Sequence, residues 1–172
     1  MRIAVVTGNP KPASRTHGVA LAVAGALAAG IAGAEPAVPP RVVVDLAEYA
    51  PRLFDGSDAE LSALTATVAA SDVVVFASPT YKAAYTGLLK AFLDRYGSNG
   101  LAGTVAVPVM TGGWAGHSLA VEVHLRPVLV ELGAVVPARG LYVTEPELGE
   151  LGAVVAKWGA AAIPLIRSAL GG

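Results

Sequence analysis

The sequence predicts an α/β protein in which five parallel strands form a doubly wound sheet with helices on both faces. Three observations carry this expectation. Short, unbroken, Val-rich runs recur along the chain, as strands covered on both faces require. Each run leads through a loop into a helix-like segment, and repeated strand–helix alternation winds a parallel sheet. The length, 172 residues, fits one domain with a sizeable core.

The expected strands are Ile3 to Thr7, Arg41 to Leu46, Asp72 to Ala77, Thr104 to Met110, and the part of Val135 to Val143 that follows Pro137. The expected helices run from Arg15 to Ala29, Asp58 to Ala70, Ala83 to Tyr96, His117 to Leu132 and Glu147 to Leu170. Pro36, Pro39 and Pro40 read as a turn between the first helix and the second strand. Pro127 and Pro164 fall inside helical patterns, where a missing N–H and a ring clash predict a kink or break.

Composition removes several function classes. The chain is 54% hydrophobic but 6% aromatic, so its core is built from Ala, Val and Leu. The net charge of -1, with no run of either sign, provides no basic face for a nucleic-acid backbone. The absence of cysteine removes disulfides, thiolate nucleophiles and Cys-ligated metals. The run Ile3 to Val6 is too short for a signal-peptide core, and Val19 to Ala34 is too short and too rich in Ala and Gly to span a bilayer. The expectation is a cytosolic protein without a membrane segment.

Open parallel sheets bind ligands beyond the carboxyl ends of their strands, where the strand order reverses. For a five-stranded sheet of the order 2-1-3-4-5, the loops to inspect follow strands one, three and four. The first, Thr7 to Thr16, places Asn9, Lys11, Ser14, Arg15 and Thr16 before and at the start of a helix. Hydroxyls, cations and free amides at a helix N-terminus suit an anion such as a terminal phosphate. An ordinary helix cap by Ser14 is the plainer alternative. Neither G-x-G-x-x-G nor G-x-x-x-x-G-K-[ST] is present, so a mononucleotide fits better than a dinucleotide, and Asp45 reads as a loop residue or helix cap. The second loop, Ser78 to Gly87, offers Pro79, Thr80, Tyr81 and Lys82; Tyr81 can flank a planar ring, or pack with Tyr85 on the helix that follows. In the third, Thr111 to His117, Gly112 and Gly113 let backbone approach a ligand, although a tight turn explains them equally well.

The stretches T-G-N-P-K-P-A-S-R-T, S-P-T-Y-K-A-A-Y-T-G-L-L-K-A-F-L-D and T-G-G-x-x-x-H-S-L-A-V, followed by L-R-P-V-L, resemble the NADPH-dependent FMN reductase family of flavodoxin-like fold. They are most similar to the branch that supplies reduced flavin to two-component monooxygenases of the alkanesulfonate type. With their spacing, these stretches extend from residue 1 to about 135. The resemblance implies that Ser14, Arg15 and Thr16 face the FMN phosphate, with Asn9 and Lys11 shaping that loop. It implies that Pro79, Thr80, Tyr81 and Lys82 border the ring system. Thr111, Gly112 and Gly113 would meet the polar edge of the flavin, and His117 would face the same pocket. Asn9 stands where the family usually carries Ser or Ala. In some members of this branch an insertion bulges the helix at the oligomer interface, at the place held here by Val123 or His124.

Hydride transfer between a nicotinamide and a flavin requires aligned rings rather than a catalytic dyad. No catalytic side chain is therefore assigned. The three histidines, at 17, 117 and 124, have no metal-binding spacing. The expected activity is that of an NAD(P)H:FMN oxidoreductase that supplies reduced flavin to a partner monooxygenase. The alternatives are an FMN-bound quinone or azo reductase and a flavodoxin-like electron carrier. Helices rich in Ala, Val and Leu, with few charges, predict a homodimer or homotetramer.

Overall fold

The computed structural model describes residues 1–32, 40 and 42–171. The turn expected around Pro36 and Pro39, and Arg41 at the start of the second expected strand, lie outside the described residues. The strands are β1 (Ile3–Thr7), β2 (Val42–Asp45), β3 (Val73–Pro79), β4 (Val105–Gly112) and β5 (Leu141–Thr144). All pair in parallel, in the order β2-β1-β3-β4-β5. The helices are α1 (Arg15–Ala32), α2 (Ala59–Ala69), α3 (Gly87–Leu93), α4 (Arg126–Glu131) and α5 (Leu151–Ala169).

The pleat divides each strand between two cores. Ile3, Val5, Val73, Val75, Val107 and Val109 pack with α1 and α5, whereas Ala4, Val6, Val74, Phe76, Ala106 and Met110 pack with α2, α3 and α4. Burial on both faces is why these strands carry no polar alternation. The pairs Ile3↔Val73 through Thr7↔Ala77 start β1 and β3 level, and β3 runs two residues further, to Pro79. The chain leaves β1 toward β2 on one side, while β3 leads toward β4 and β5 on the other, so the switch point lies between β1 and β3.

Several bounds differ from the sequence expectation, each for a local reason. α3 begins at Gly87 rather than Ala83, because Lys82 and Ala83 have φ of 51° and 65° and cannot join a right-handed helix. Thr86 caps it instead, accepting from the Leu89 amide at 3.1 Å. β4 continues through Thr111 and Gly112, which pair with Val143 and Thr144 of β5. Its loop therefore starts two residues later than the end of the apolar run suggests. Between β4 and α4 the chain makes a 3-10 turn (Ala115–His117) and then a π-helical turn (Val121–Leu125), closed by the Arg126 amide donating to the Val121 carbonyl. Pro127 follows at once, in the first turn of α4, so the break expected near it takes the form of this π turn. α5 runs through Pro164 without interruption, after a 3-10 segment (Glu145–Glu150) that replaces its expected first turn. Its length and apolarity would also suit a membrane span, but Val155, Gly159, Ala162 and Ile166 seat it on the core.

Gly8 is the tightest joint between β1 and the next layer. Its amide donates to Ala77 O at 2.8 Å, and its carbonyl accepts from the Thr86 hydroxyl at 2.5 Å. A Cβ on Gly8 would lie 2.4 Å from the Leu89 Cβ, which belongs to the stiff start of α3. Gly8→Ala is therefore expected to destabilise the fold by about 1–3 kcal/mol. Urea unfolding should show a lower midpoint with an unchanged slope, and an unaltered midpoint would contradict this packing.

Candidate functional site

The loops after β1, β3 and β4 meet in one cleft at the carboxyl edge of the sheet. Ten of the thirteen residues singled out above line it: Asn9, Ser14, Arg15 and Thr16 from the first loop, Pro79, Thr80 and Tyr81 from the second, and Thr111, Gly112 and Gly113 from the third. Three do not. Lys11 and Lys82 are exposed outside the cleft, Lys82 at the tip of a tight turn. His117 packs edge-on against Trp114, with ring centroids 4.9 Å apart. Sequence reasoning missed Val143, Glu145 and Leu148, which close the cleft from the β5 side. Those three positions lie in a stretch that carried no recognisable motif.

The floor is a chain of buried hydroxyls. Thr16 Oγ1 and Thr111 Oγ1 are 2.7 Å apart, and Asn9 Nδ2 donates to Thr16 Oγ1 at 3.3 Å. Asn9 Oδ1 also accepts from the Lys11 amide at 2.9 Å. The Asn9 side chain thus shapes the loop. Ala13, held at φ 48°, donates its amide to Asp45 Oδ2 at 2.9 Å. Asp45 also caps the 3-10 turn that follows β2, accepting from Ala47 N at 3.3 Å, so it acts as a loop anchor.

The first turn of α1 retains free donors. Ser14 Oγ accepts from the His17 amide at 3.2 Å, and no acidic side chain occupies the first turn. Among the described residues, the Arg15 and Thr16 amides meet no acceptor. Such amides, together with the helix dipole and the Arg15 guanidinium, favour an anion. His17 is engaged by Thr7: its Nδ1 lies 3.0 Å from the Thr7 hydroxyl. Arg15 Nη2 pairs with Glu145 Oε1 at 2.6 Å, across the cleft.

The second loop forms a two-residue hairpin. Tyr81 N donates to Ala84 O at 2.9 Å and Ala84 N returns to Tyr81 O at 3.2 Å, around two residues of positive φ. The turn leaves Tyr81 52% exposed at the cleft, whereas Tyr85 packs on the core beside α3. Of the two tyrosines, Tyr85 takes the packing role on the helix and Tyr81 stands free of it at the cleft. In the third loop, a Cβ on Gly112 would lie 2.1 Å from the Tyr142 hydroxyl, so Gly112 makes room for this chain's own tyrosine. Tyr142 OH donates to Trp114 O at 3.2 Å and accepts from Thr80 Oγ1 at 3.4 Å, tying the second and third loops together. Gly113, by contrast, faces open space.

The cleft encloses about 180 Å³. Small-molecule sites typically span roughly 300–1,000 Å³, so the space suits an anionic group and a short chain, with any planar ring across the mouth beside Tyr81 and Gly113.

The sheet order and the polar loops at its switch point define an α/β protein of the flavodoxin-like class. An archaeal flavodoxin shares this fold, with a TM-score of 0.58 and 15% identity, each chain covered in full. The chain belongs to the NADPH-dependent FMN reductase family, whose profile matches residues 1–147. An FMN reductase (NADPH) of Escherichia coli K12 is 38% identical over 88 residues, which are 51% of this chain and 46% of that protein. The aligned stretch thus spans about half of that relative. The NADH-dependent FMN reductase SfnF of Pseudomonas putida is 31% identical over 147 residues, covering 83% of this chain and 76% of that one. Among solved structures, the apo form of the NADH:FMN oxidoreductase EMOB superposes with a TM-score of 0.73 at 30% identity, covering 91% of this chain and 87% of that one. An oxidoreductase from Corynebacterium diphtheriae gives 0.80 at 29% identity, covering 99% and 97%.

The hairpin is a test of how the site is built. A left-handed backbone costs an L-residue about 1–2 kcal/mol, and glycine recovers this less its own entropic cost of roughly 0.5–1 kcal/mol. Ala83→Gly should therefore raise thermal stability slightly, by up to about 1 kcal/mol. A clear fall in melting temperature would argue against this turn.

Proposed function

We propose that this chain is a one-domain, cytosolic NAD(P)H:FMN oxidoreductase that passes reduced flavin to a partner monooxygenase. The observation that carries the reading is the convergence of three loops on one cleft, with uncapped α1 amides at one end and an exposed tyrosine at the other, in a chain of this family. Ser14, Arg15 and Thr16 would hold the phosphate of FMN. Pro79, Thr80 and Tyr81 would border the ring, and the Gly113 amide, which lines the open side of the cleft, would donate to the ring's polar edge. FMN supplies the hydride acceptor when bound; the nicotinamide is the donor. The protein's task is then to hold two rings in contact and exclude water, which explains a cleft with no proton-transferring dyad.

Supply of flavin to a second enzyme requires a site that releases its ligand. Exposed groups at the cleft mouth, Arg15, Tyr81 and Glu145, suit a flavin that comes and goes. Leu119, Val123 and Val130 are exposed on the segment that contains the π turn and α4. A second copy of the chain would cover this apolar face and give a homodimer or homotetramer.

Purified protein should oxidise NADPH or NADH in proportion to added FMN, followed by loss of nicotinamide absorbance. Activity confined to quinones or azo dyes, with flavin retained through gel filtration, would replace the flavin-supplying role by that of an FMN-bound reductase. Absence of both flavin binding and nicotinamide oxidation would refute the reading. Arg15→Ala should weaken FMN binding on the order of tenfold and riboflavin binding little, because it removes a charge-assisted bond to phosphate. Val123→Glu should shift the sedimentation of the protein toward the monomer; an unchanged assembly would place the interface elsewhere.

A further inference from the structure

Glu145 is out of place in a cleft that otherwise offers an anion only donors and a cation. It arrives from the turn after β5, 130 residues from Arg15 in sequence, and lines the same cleft as Ser14 and Thr16. Its Oε1 lies 2.6 Å from Arg15 Nη2. The turn that carries it is fixed independently of Arg15: Glu147 Oε2 accepts from the Thr144 amide at 2.7 Å and the Thr144 hydroxyl at 2.6 Å, completing a capping box. These bonds also hold the Glu147 carboxyl below its usual range.

The ion pair therefore contributes little to the fold. Its side chains are 69% and 53% exposed, and pairs this open are weak and screened by salt. What it does is occupy the Arg15 guanidinium, the cation that lines the cleft among the described residues, in a bond that a phosphate can displace.

We propose that Glu145 is a specificity-determining residue that competes with the flavin phosphate for Arg15. Its carboxylate engages the guanidinium. A phosphorylated flavin must take that guanidinium from the carboxylate and then tolerate the carboxylate beside it. The net effect is to lower affinity for phosphate-bearing flavins selectively and to speed their release, as a protein that hands its flavin on requires. This inference rests on the reading that the loop from Thr7 to Thr16 receives the flavin phosphate.

The test is titration of FMN and of riboflavin, by quenching of flavin fluorescence, into the full chain and into Glu145→Gln, Arg15→Ala and the double variant. Glu145→Gln should bind FMN on the order of fivefold more tightly, with riboflavin unchanged and the gain shrinking as salt is raised. In the Arg15→Ala background most of that gain should vanish. Thermal melting of each variant, with Glu145→Ala as a second removal of the charge, separates these effects from misfolding. If FMN binds the wild type better than riboflavin, yet Glu145→Gln leaves FMN affinity unchanged or weaker, the role of Glu145 is overturned and the phosphate site stands. If FMN and riboflavin bind alike and Arg15→Ala changes neither, the phosphate site itself falls, and the inference with it.

Discussion

At the carboxyl edge of the sheet, the chain must leave β1 and β3 in different directions while their backbones remain bonded, and Gly8 is where this is achieved. Its amide is held by Ala77 of β3 and its carbonyl by Thr86, the cap of α3. The absence of a side chain lets the start of α3 settle directly on the loop. Thr86 also accepts from Leu89, and its own amide donates to Ser78 Oγ at 2.9 Å. One glycine and one threonine therefore fix the first loop, the second loop and the start of a helix relative to each other. Everything the cleft presents depends on that registration.

Above this joint, the site is held by side chains that face each other across long stretches of sequence. Thr16 and Thr111 join the first and third loops through a buried hydroxyl contact, and Tyr142 joins the second and third from the neighbouring strand. Unpaired hydroxyls in such a position would be costly, so these pairs favour a single arrangement of the loops. The rigid floor contrasts with the mouth, where Arg15, Tyr81 and Glu145 are exposed. Rigid positioning below and displaceable groups above suit a site that aligns a ligand and then releases it.

The third loop shows how a structural constraint can mimic a ligand-binding signal. Gly112 and Gly113 look alike in sequence, yet Gly112 yields its side-chain space to Tyr142 and only Gly113 opens outward. Lys82 presents the converse case. It sits inside a motif-rich stretch, but two consecutive residues of positive φ turn it away from the cleft. Nothing in the identities of Lys82 and Ala83 announces a left-handed turn, because neither residue favours one; the closing hydrogen bonds between Tyr81 and Ala84 impose it. For the same reason α3 starts four residues later than its helical pattern suggests.

The sequence by itself determined the class of fold and the three loops that form the cleft. Those features follow from local composition: Val-rich runs buried on both faces, and polar loops at strand ends. The tertiary structure alone decided which members of those loops reach the cleft, that Asp45 anchors the first loop, and that the chain between β4 and α4 passes through a π turn ahead of Pro127. It alone brought Val143, Glu145 and Leu148 to the site. Their roles come from pairing in space between β4 and β5 and across the cleft to Arg15, and contacts between residues so far apart leave no pattern in either local stretch.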